Sequence, residues 1–188
     1  MGSEKQQVQF LSPRQMIIVL HNIRSVYNVA SIFRTADGVG IEKIYLGGIT
    51  PGPLDKFGLV RGDFTKVSLG AEKFVSWERR YSTIKLLKKL KDDGYGIWAV
   101  EQDPRSVPYY TCHSERSEES NLERLPRPFG PRNDNVCLVM GAEVGGLSKS
   151  ILEIADKIIE IPMKGQKESL NVAVAFGIVA YSLTYSPK

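Results

Sequence analysis

The chain has 188 residues and a mass of 21.0 kDa, with 42% hydrophobic and 24% charged residues, enough apolar content for one packed domain and too much for a chain that stays unfolded. Two cysteines, Cys112 and Cys137, exclude a disulfide-stapled scaffold and a Cys-rich zinc module, and two histidines, His21 and His113, leave no histidine-based metal cluster, so no metal is expected. Lys and Arg outnumber Asp and Glu by 25 to 21, for a formal charge of +4 and a pI near 9.0, a balance that suits a polyanionic partner without identifying one.

Residues 1–14 are polar, contain Pro13 and lack an apolar stretch of signal-peptide length, so a flexible tail and a cytoplasmic protein are expected. Met16–Leu20 is a β-branched apolar run and reads as a buried strand ending at His21-Asn22. Helical spacing follows over Tyr27–Val39, with Val29, Ile32, Phe33 and Ala36 inward and Gly38 or Gly40 as the stop. Ile41–Leu46 is a second strand, closed by Gly47-Gly48 and the turn-rich Thr50-Pro51-Gly52-Pro53. Residues 54–65 read as loop and Lys66–Leu69 as a short strand. Ser82–Lys91 is a basic amphipathic helix with Ile84, Leu87 and Leu90 inward and Lys85, Lys88, Lys89 and Lys91 outward. Asp93-Gly94 ends it, and Gly96–Val100 is the next strand.

Residues 112–134 break the pattern. They are rich in Ser, Glu, Arg and Pro and nearly devoid of apolar side chains, so a solvated, mobile insertion is expected. The alternation then resumes with a strand at Val136–Met140, a helix at Ser148–Ala155, a strand at Ile158–Ile161 and a final helix opening at Ser169 or Asn171 and running to about Tyr185. Strands alternating with helices predict an α/β fold with a mainly parallel sheet, helices on both faces, and one domain over 15–188. The longest apolar runs, Met16–Leu20 and Val172–Ala175, fall far short of the ~20 residues that span a bilayer.

Three polar, glycine-containing segments sit where strands end, the usual place for ligands in open α/β sheets. In His21–Thr35, Asn22, Arg24 and Asn28 lie around a helix start and Arg34 in its middle. The Arg34 guanidinium, a fork of five donors, suits phosphate or ribose oxygens; pairing with Asp37 three residues on is the alternative. In Leu138–Ser148, a strand ends in Gly-x-Glu-x-x-Gly, placing Glu143 beside backbone that a ligand can approach; a tight turn needing positive φ is the alternative. The glycine spacing fits neither a dinucleotide loop nor a phosphate-binding loop. In Ile161–Ala175, Pro162 and Gly165 shape a loop, and Ser169 and Asn171 head an apolar helix; a helix cap accounts for one of them but not both.

Taken together, these segments resemble the SpoU (TrmH-like) branch of the SPOUT RNA methyltransferases. The resemblance rests on Asn28 and Arg34 in NVASIFRTAD, on Gly141, Glu143, Gly146 and Leu147 in the second segment, and on Ile161-Pro162-Met163 with Ser169-Leu170-Asn171-Val172 in the third. It covers roughly residues 15–111 and 135–185. It implies a SPOUT fold with a deep C-terminal trefoil knot, a homodimer, S-adenosylmethionine as methyl donor, and methylation of a ribose 2′-hydroxyl in tRNA or rRNA. It implies Arg34, Asn28, Glu143, Ser169 and Asn171 as catalytic residues, and Glu101, Gly141, Ile161, Ser169 and Leu170 as the donor site. A larger relative's separate RNA-binding domain is not expected here, so the dimer surface is expected to recognise the target. Arg24, Arg61, Lys85, Lys88 and Lys89, with Arg79 and Arg80, are the candidate phosphate contacts, an ordinary solvated face being the alternative. A non-catalytic RNA-binding protein of the same fold is the competing class. It has no need of all five catalytic positions. A base-methylating SPOUT enzyme is disfavoured by the form of the first segment.

Overall fold

The computed structural model describes residues 15–116 and 135–185; the expected N-terminal tail and residues 117–134 of the expected insertion lie outside the described residues. A seven-stranded sheet forms the centre, with every ladder parallel: β1 (Met16–His21), β2 (Lys43–Gly47), β3 (Ser76–Arg80), β4 (Gly96–Val100), β5 (Val107–Pro108), β6 (Val136–Met140) and β7 (Lys157–Glu160). The spatial order is β3-β2-β1-β6-β4-β7-β5. The chain therefore leaves β4 for the far edge and returns to lay β6 between β1 and β4, then lays β7 between β4 and β5.

The helices are α1 (Val26–Val39), α2 (Gly62–Ser68), α3 (Thr83–Asp92), α4 (Lys149–Leu152) and α5 (Val172–Tyr185). Strand alternation divides the core in two. Met16, Ile18 and Leu20 of β1 and Val136, Leu138 and Met140 of β6 point to the face covered by α1, α2 and α5. Ile17, Val19, Cys137 and Val139 point to the face covered by α3 and α4. A strand covered on both faces needs apolar side chains at every position, which is why β1 and β6 read as continuous apolar runs. Helix α1 starts where the Ser25 side chain accepts from Asn28 N–H (3.2 Å) and stops where Gly40 turns left-handed (φ 81°).

Several expectations are corrected. Residues Lys66–Leu69 do not form a strand: Lys66, Val67 and Ser68 belong to α2, and Phe64 of that helix docks edge-to-face on Phe33 of α1 with ring centroids 5.2 Å apart. Burial of Phe64, two residues before Lys66, outweighs the local preference of this short segment. In α3 the inward set is Thr83, Leu86, Leu87 and Leu90, whereas Ile84 is partly exposed. The helix predicted at Ser148–Ala155 is a single turn, and Ser148 makes no side-chain cap bond. The insertion does not begin at Cys112: that residue is buried within a 3-10 segment spanning Tyr109–Arg116. β3 and β5 were not anticipated from their polar and very short sequences.

Phe33 is fully buried and anchors α2 on α1. Phe33→Ala should lower unfolding stability by about 3–5 kcal/mol in urea titration. A loss under about 1 kcal/mol would mean that this contact does not organise the face.

Candidate active site

A cavity of about 430 Å³ opens at the carboxyl ends of β4, β6 and β7, within the ~300–1,000 Å³ of small-molecule sites. Its wall is built from Val100, Glu101 and Gln102 after β4, Met140 to Glu143 and Gly146 after β6, Ile161, Met163 and Ser169 to Asn171 after β7, and Val172 and Ala175 of α5. Placing β6 between β1 and β4 puts these strand ends side by side, so segments far apart in sequence share one rim.

The rim is tied together by one chain of hydrogen bonds. Asn28 Nδ2 donates to Glu143 Oε1 (2.8 Å), and Asn28 Oδ1 accepts from Asn171 Nδ2 (3.0 Å). Asn171 Oδ1 accepts from Ala173 N–H (2.9 Å), which fixes the orientation of both amides: each has a partner only one way round. Glu143 Oε2 also accepts from Arg24 N–H at 3.4 Å. Partial desolvation pushes the Glu143 carboxyl pKa upward. Hydrogen bonds from Asn28 and from backbone N–H groups of Glu143, Arg24 and Ser25 outweigh it and hold the carboxyl below its ordinary value.

The loop after β6 doubles back on itself. A Cβ on Gly141 would lie 2.8–2.9 Å from Gly146 and Leu147, so here the missing side chain lets the loop close on itself. Gly146 is left-handed (φ 56°), as a tight turn requires, and a Cβ there would meet the Glu101 carboxylate at 2.2 Å. Glu101 braces this loop: Oε2 accepts from Leu147 N–H (2.8 Å) and Oε1 from Gln102 N–H (3.1 Å).

Of the residues expected from sequence, Glu101, Gly141, Ile161, Ser169 and Leu170 line the cavity together with Glu143 and Asn171, and Asn28 bonds to both of the last two. Arg34 does not line it. That side chain is exposed on the outer face of α1, and neither the alternative pairing with Asp37 nor any other bond is formed among the described residues. Arg24 is exposed beside the rim. The phosphate-contact set is not one patch: Arg61 heads α2 on the α1 face and pairs with Asp63 (3.3 Å), whereas Lys85, Lys88 and Lys89 are exposed on α3, across the sheet. Arg80 pairs with Glu78, and Lys91 pins α3 to Asp156 (2.6 Å) and to the Ile154 carbonyl (3.0 Å). Gln102 is not among the expected residues; it lies two residues beyond β4, lines the cavity and donates to the Glu168 carbonyl, steadying the loop before Ser169. Its position two residues beyond a strand is the available signal.

Fold and site together define an α/β protein with a strand-end cavity for a small molecule, rimmed by a fixed carboxylate and two fixed amides. The model of the SpoU rRNA Methylase family matches residues 15–181, and the chain belongs to that family. It is 30% identical over 169 residues to the 23S rRNA (guanosine-2'-O-)-methyltransferase RlmB of Neisseria meningitidis serogroup B, covering 90% of this chain and 58% of that protein. It is 29% identical over 172 residues to the tRNA (guanosine(18)-2'-O)-methyltransferase of Aquifex aeolicus, covering 89% of this chain and 68% of the relative. Its fold superposes with a TM-score of 0.71 on the AdoMet-bound rRNA methyltransferase from Sinorhizobium meliloti, at 25% identity over 90% of this chain and 55% of that one. The chain thus spans a little over half the length of the first of these relatives.

Asn28→Ala removes a hydrogen-bond donor from the Glu143 carboxylate and should raise its pKa toward the ordinary 4.5. Because the folded value is depressed, this carboxylate stabilises the fold above the unfolded value, and the contribution is lost as pH falls through the folded value. Carboxyl-carbon NMR titration of both proteins checks the shift; identical titration curves would remove Asn28 as the cause.

Proposed function

We propose that this chain is an S-adenosylmethionine-dependent methyltransferase acting on a ribose 2′-hydroxyl of tRNA or rRNA. The observation that carries the reading is the Glu143–Asn28–Asn171 chain, which joins the three sequence segments at the mouth of one cavity. The relatives' names and an AdoMet-bound structural neighbour support it. The cavity suits the donor by its chemistry. Apolar walls from Met140, Ile161, Met163 and Leu170 match a flat heterocycle, and carboxylates Glu101, Glu143 and Glu160 match ribose hydroxyls and a cationic centre.

When bound, S-adenosylmethionine supplies a methyl group activated by a sulfonium. The chain's own part is positioning and charge. A C–O bond forms at the ribose oxygen, the C–S bond breaks, and the hydroxyl proton must leave. Asn28, Glu143, Ser169 and Asn171 orient the ribose at the rim. A guanidinium is no free base at neutral pH; that of Arg34, without a bond among the described residues, clamps the adjacent phosphate and the developing oxyanion. Glu101, Gly141, Ile161, Ser169 and Leu170 hold the donor, and no step calls for a metal.

The same proposal extends to assembly. Helix α5 carries no charged residue and is apolar nearly all round, a composition that belongs to a buried helix. Yet Val174, Tyr181 and Tyr185 form an exposed stripe, 46–51% accessible, and Tyr27 of α1, the helix packed against α5, is exposed as well. A homodimer through α1 and α5 covers it and sets Arg34 at its border. Residues 15–188 act as one domain with the knotted C-terminal path of the SPOUT fold, a reading supported by β6 and β7 each entering between strands already laid down. No described helix is long and apolar enough to cross a membrane, and both cysteines are buried and outside any disulfide, which suits the reducing cytoplasm. Exposed Arg24, Lys85, Lys88 and Lys89 are the RNA-contact residues in this reading, with Arg61 once freed from Asp63.

Arg34→Ala should reduce methyl transfer to unmodified RNA by about 10²–10³-fold. Calorimetric affinity for S-adenosylmethionine should stay within about twofold, at one donor per chain, because Arg34 lies outside the cavity. Retained turnover removes Arg34 from catalysis, and absent donor binding overturns the activity. Tyr181→Glu should convert a species of twice the 21.0 kDa chain mass into monomer in sedimentation equilibrium; a wild-type monomer refutes the dimer.

A further inference from the structure

His21, at the end of β1, takes no part in the cavity, yet it closes a hydrogen-bonded chain across three elements. Ile49 N–H donates to Asn22 Oδ1 (3.2 Å), so the oxygen of that amide faces the loop after β2 and its NH2 faces back. The NH2 lies 3.0 Å from His21 Nε2, which must therefore be the bare, accepting nitrogen. The ring proton is then on Nδ1, 2.8 Å from the hydroxyl of buried Thr83 in the first turn of α3. The other tautomer would set two donors against each other, and flipping Asn22 to relieve them would turn its NH2 onto Ile49 N–H.

Asn22 is itself left-handed (φ 56°), a conformation that a β-carbon resists and that Asn tolerates when its side chain is bonded locally. The residues that follow it build the candidate site: Arg24 N–H reaches Glu143, and Ser25 caps the helix that carries Asn28. We infer that His21, held as the neutral Nδ1–H tautomer between Asn22 and Thr83, is a positioning residue that locks the strand-end loop on which Arg24, Ser25 and Asn28 are set. Its consequence for turnover rests on the methyltransferase reading; the tautomer and the coupling do not.

The surroundings favour the neutral ring. Burial lowers its pKa below the ordinary 6.5. Charged groups on the neighbouring elements are Arg80 ending β3, Lys85 in α3, and Arg24 and Glu143 across the strand ends. None of the three cations offers the ring a counter-charge, and Glu143 is engaged by Asn28 and Arg24 N–H. Lower on the same strands, Tyr45 and Glu78 are engaged by Lys43. Protonation would put an N–H against the Asn22 amide and release Ile49 and the loop with it.

Long-range proton–nitrogen correlation of the imidazoles tests this in the whole chain, where His21→Gln identifies which of two histidine signals is His21. A ring protonated on Nδ1 at pH 7.5 and titrating below 6.5 is expected; an Nε2–H tautomer or an imidazolium at that pH overturns the inference. The amide signals of Ile49 and Arg24 should move with the His21 titration in the wild type and stay still in His21→Gln; unresponsive amides overturn the coupling. Thr83→Val should lower kcat with unmodified tRNA or rRNA about tenfold and leave donor affinity within about twofold. In His21→Gln, the acid-side fall of kcat should flatten. A parallel loss of Tm, donor affinity and kcat in Thr83→Val would mark a merely structural role. A wild type that binds the donor but methylates no RNA defeats the activity reading while the nuclear signals still decide the inference.

Discussion

The placement of β6 between β1 and β4 is the constraint from which the site follows. That strand pairs on both sides and is buried on both faces, so Val136–Met140 must be apolar throughout, and it follows both neighbours in the chain. Its carboxyl end then emerges between theirs. Glu143 is thereby delivered next to the loop after β1, and the loop after β7 closes from the other side. A parallel sheet run in simple sequence order would scatter the same residues along its edge.

Asn28 is the junction of this arrangement because an amide can donate and accept at once. It donates to a carboxylate and accepts from a second amide, so one side chain on α1 holds two loops in register. A carboxylate there could only accept, and an ammonium only donate, leaving one of the two partners unmet at the rim. Glu101 performs the matching task deeper in the cavity, where it satisfies two backbone N–H groups of loops with no ladder partner. Much of the polar inventory at the strand ends therefore stiffens the loops around the cavity.

The elements that could be read from sequence are those whose own burial sets their pattern. β1, β6 and α1 are dictated by continuous or 3.6-periodic apolar residues, and their bounds agree to within about two residues. β3 was illegible because Ser76–Arg80 is an edge strand, half solvated and charged, where polar residues guard against unwanted pairing. Lys66–Leu69 reads as a strand from local residues alone, whereas the docking of Phe64 on Phe33 that makes it helical is not local. In α3, choosing Ile84 over Leu86 as inward was an error of phase, decided by how the helix rolls on β4.

The same division runs through the site. Residue types at strand ends draw attention to the segments that hold Asn28, Glu143, Ser169 and Asn171, because polar side chains and glycines interrupting apolar runs mark positions that core packing does not explain, whereas Glu101 is reached only through the family resemblance. Sequence alone also determined the α/β class and the two-sided burial of the central strands, since both follow from local periodicity. What only the tertiary structure decided is who faces whom: that Asn28 bridges Glu143 and Asn171, that Arg34 stands outside the cavity, that Arg61 and the lysines of α3 lie on opposite faces, and which nitrogen of His21 carries the proton. The reason is that hydrogen-bond direction and side-chain facing depend on partners more than a hundred residues away in some of these pairs, and no local pattern encodes a partner that arrives by a crossover.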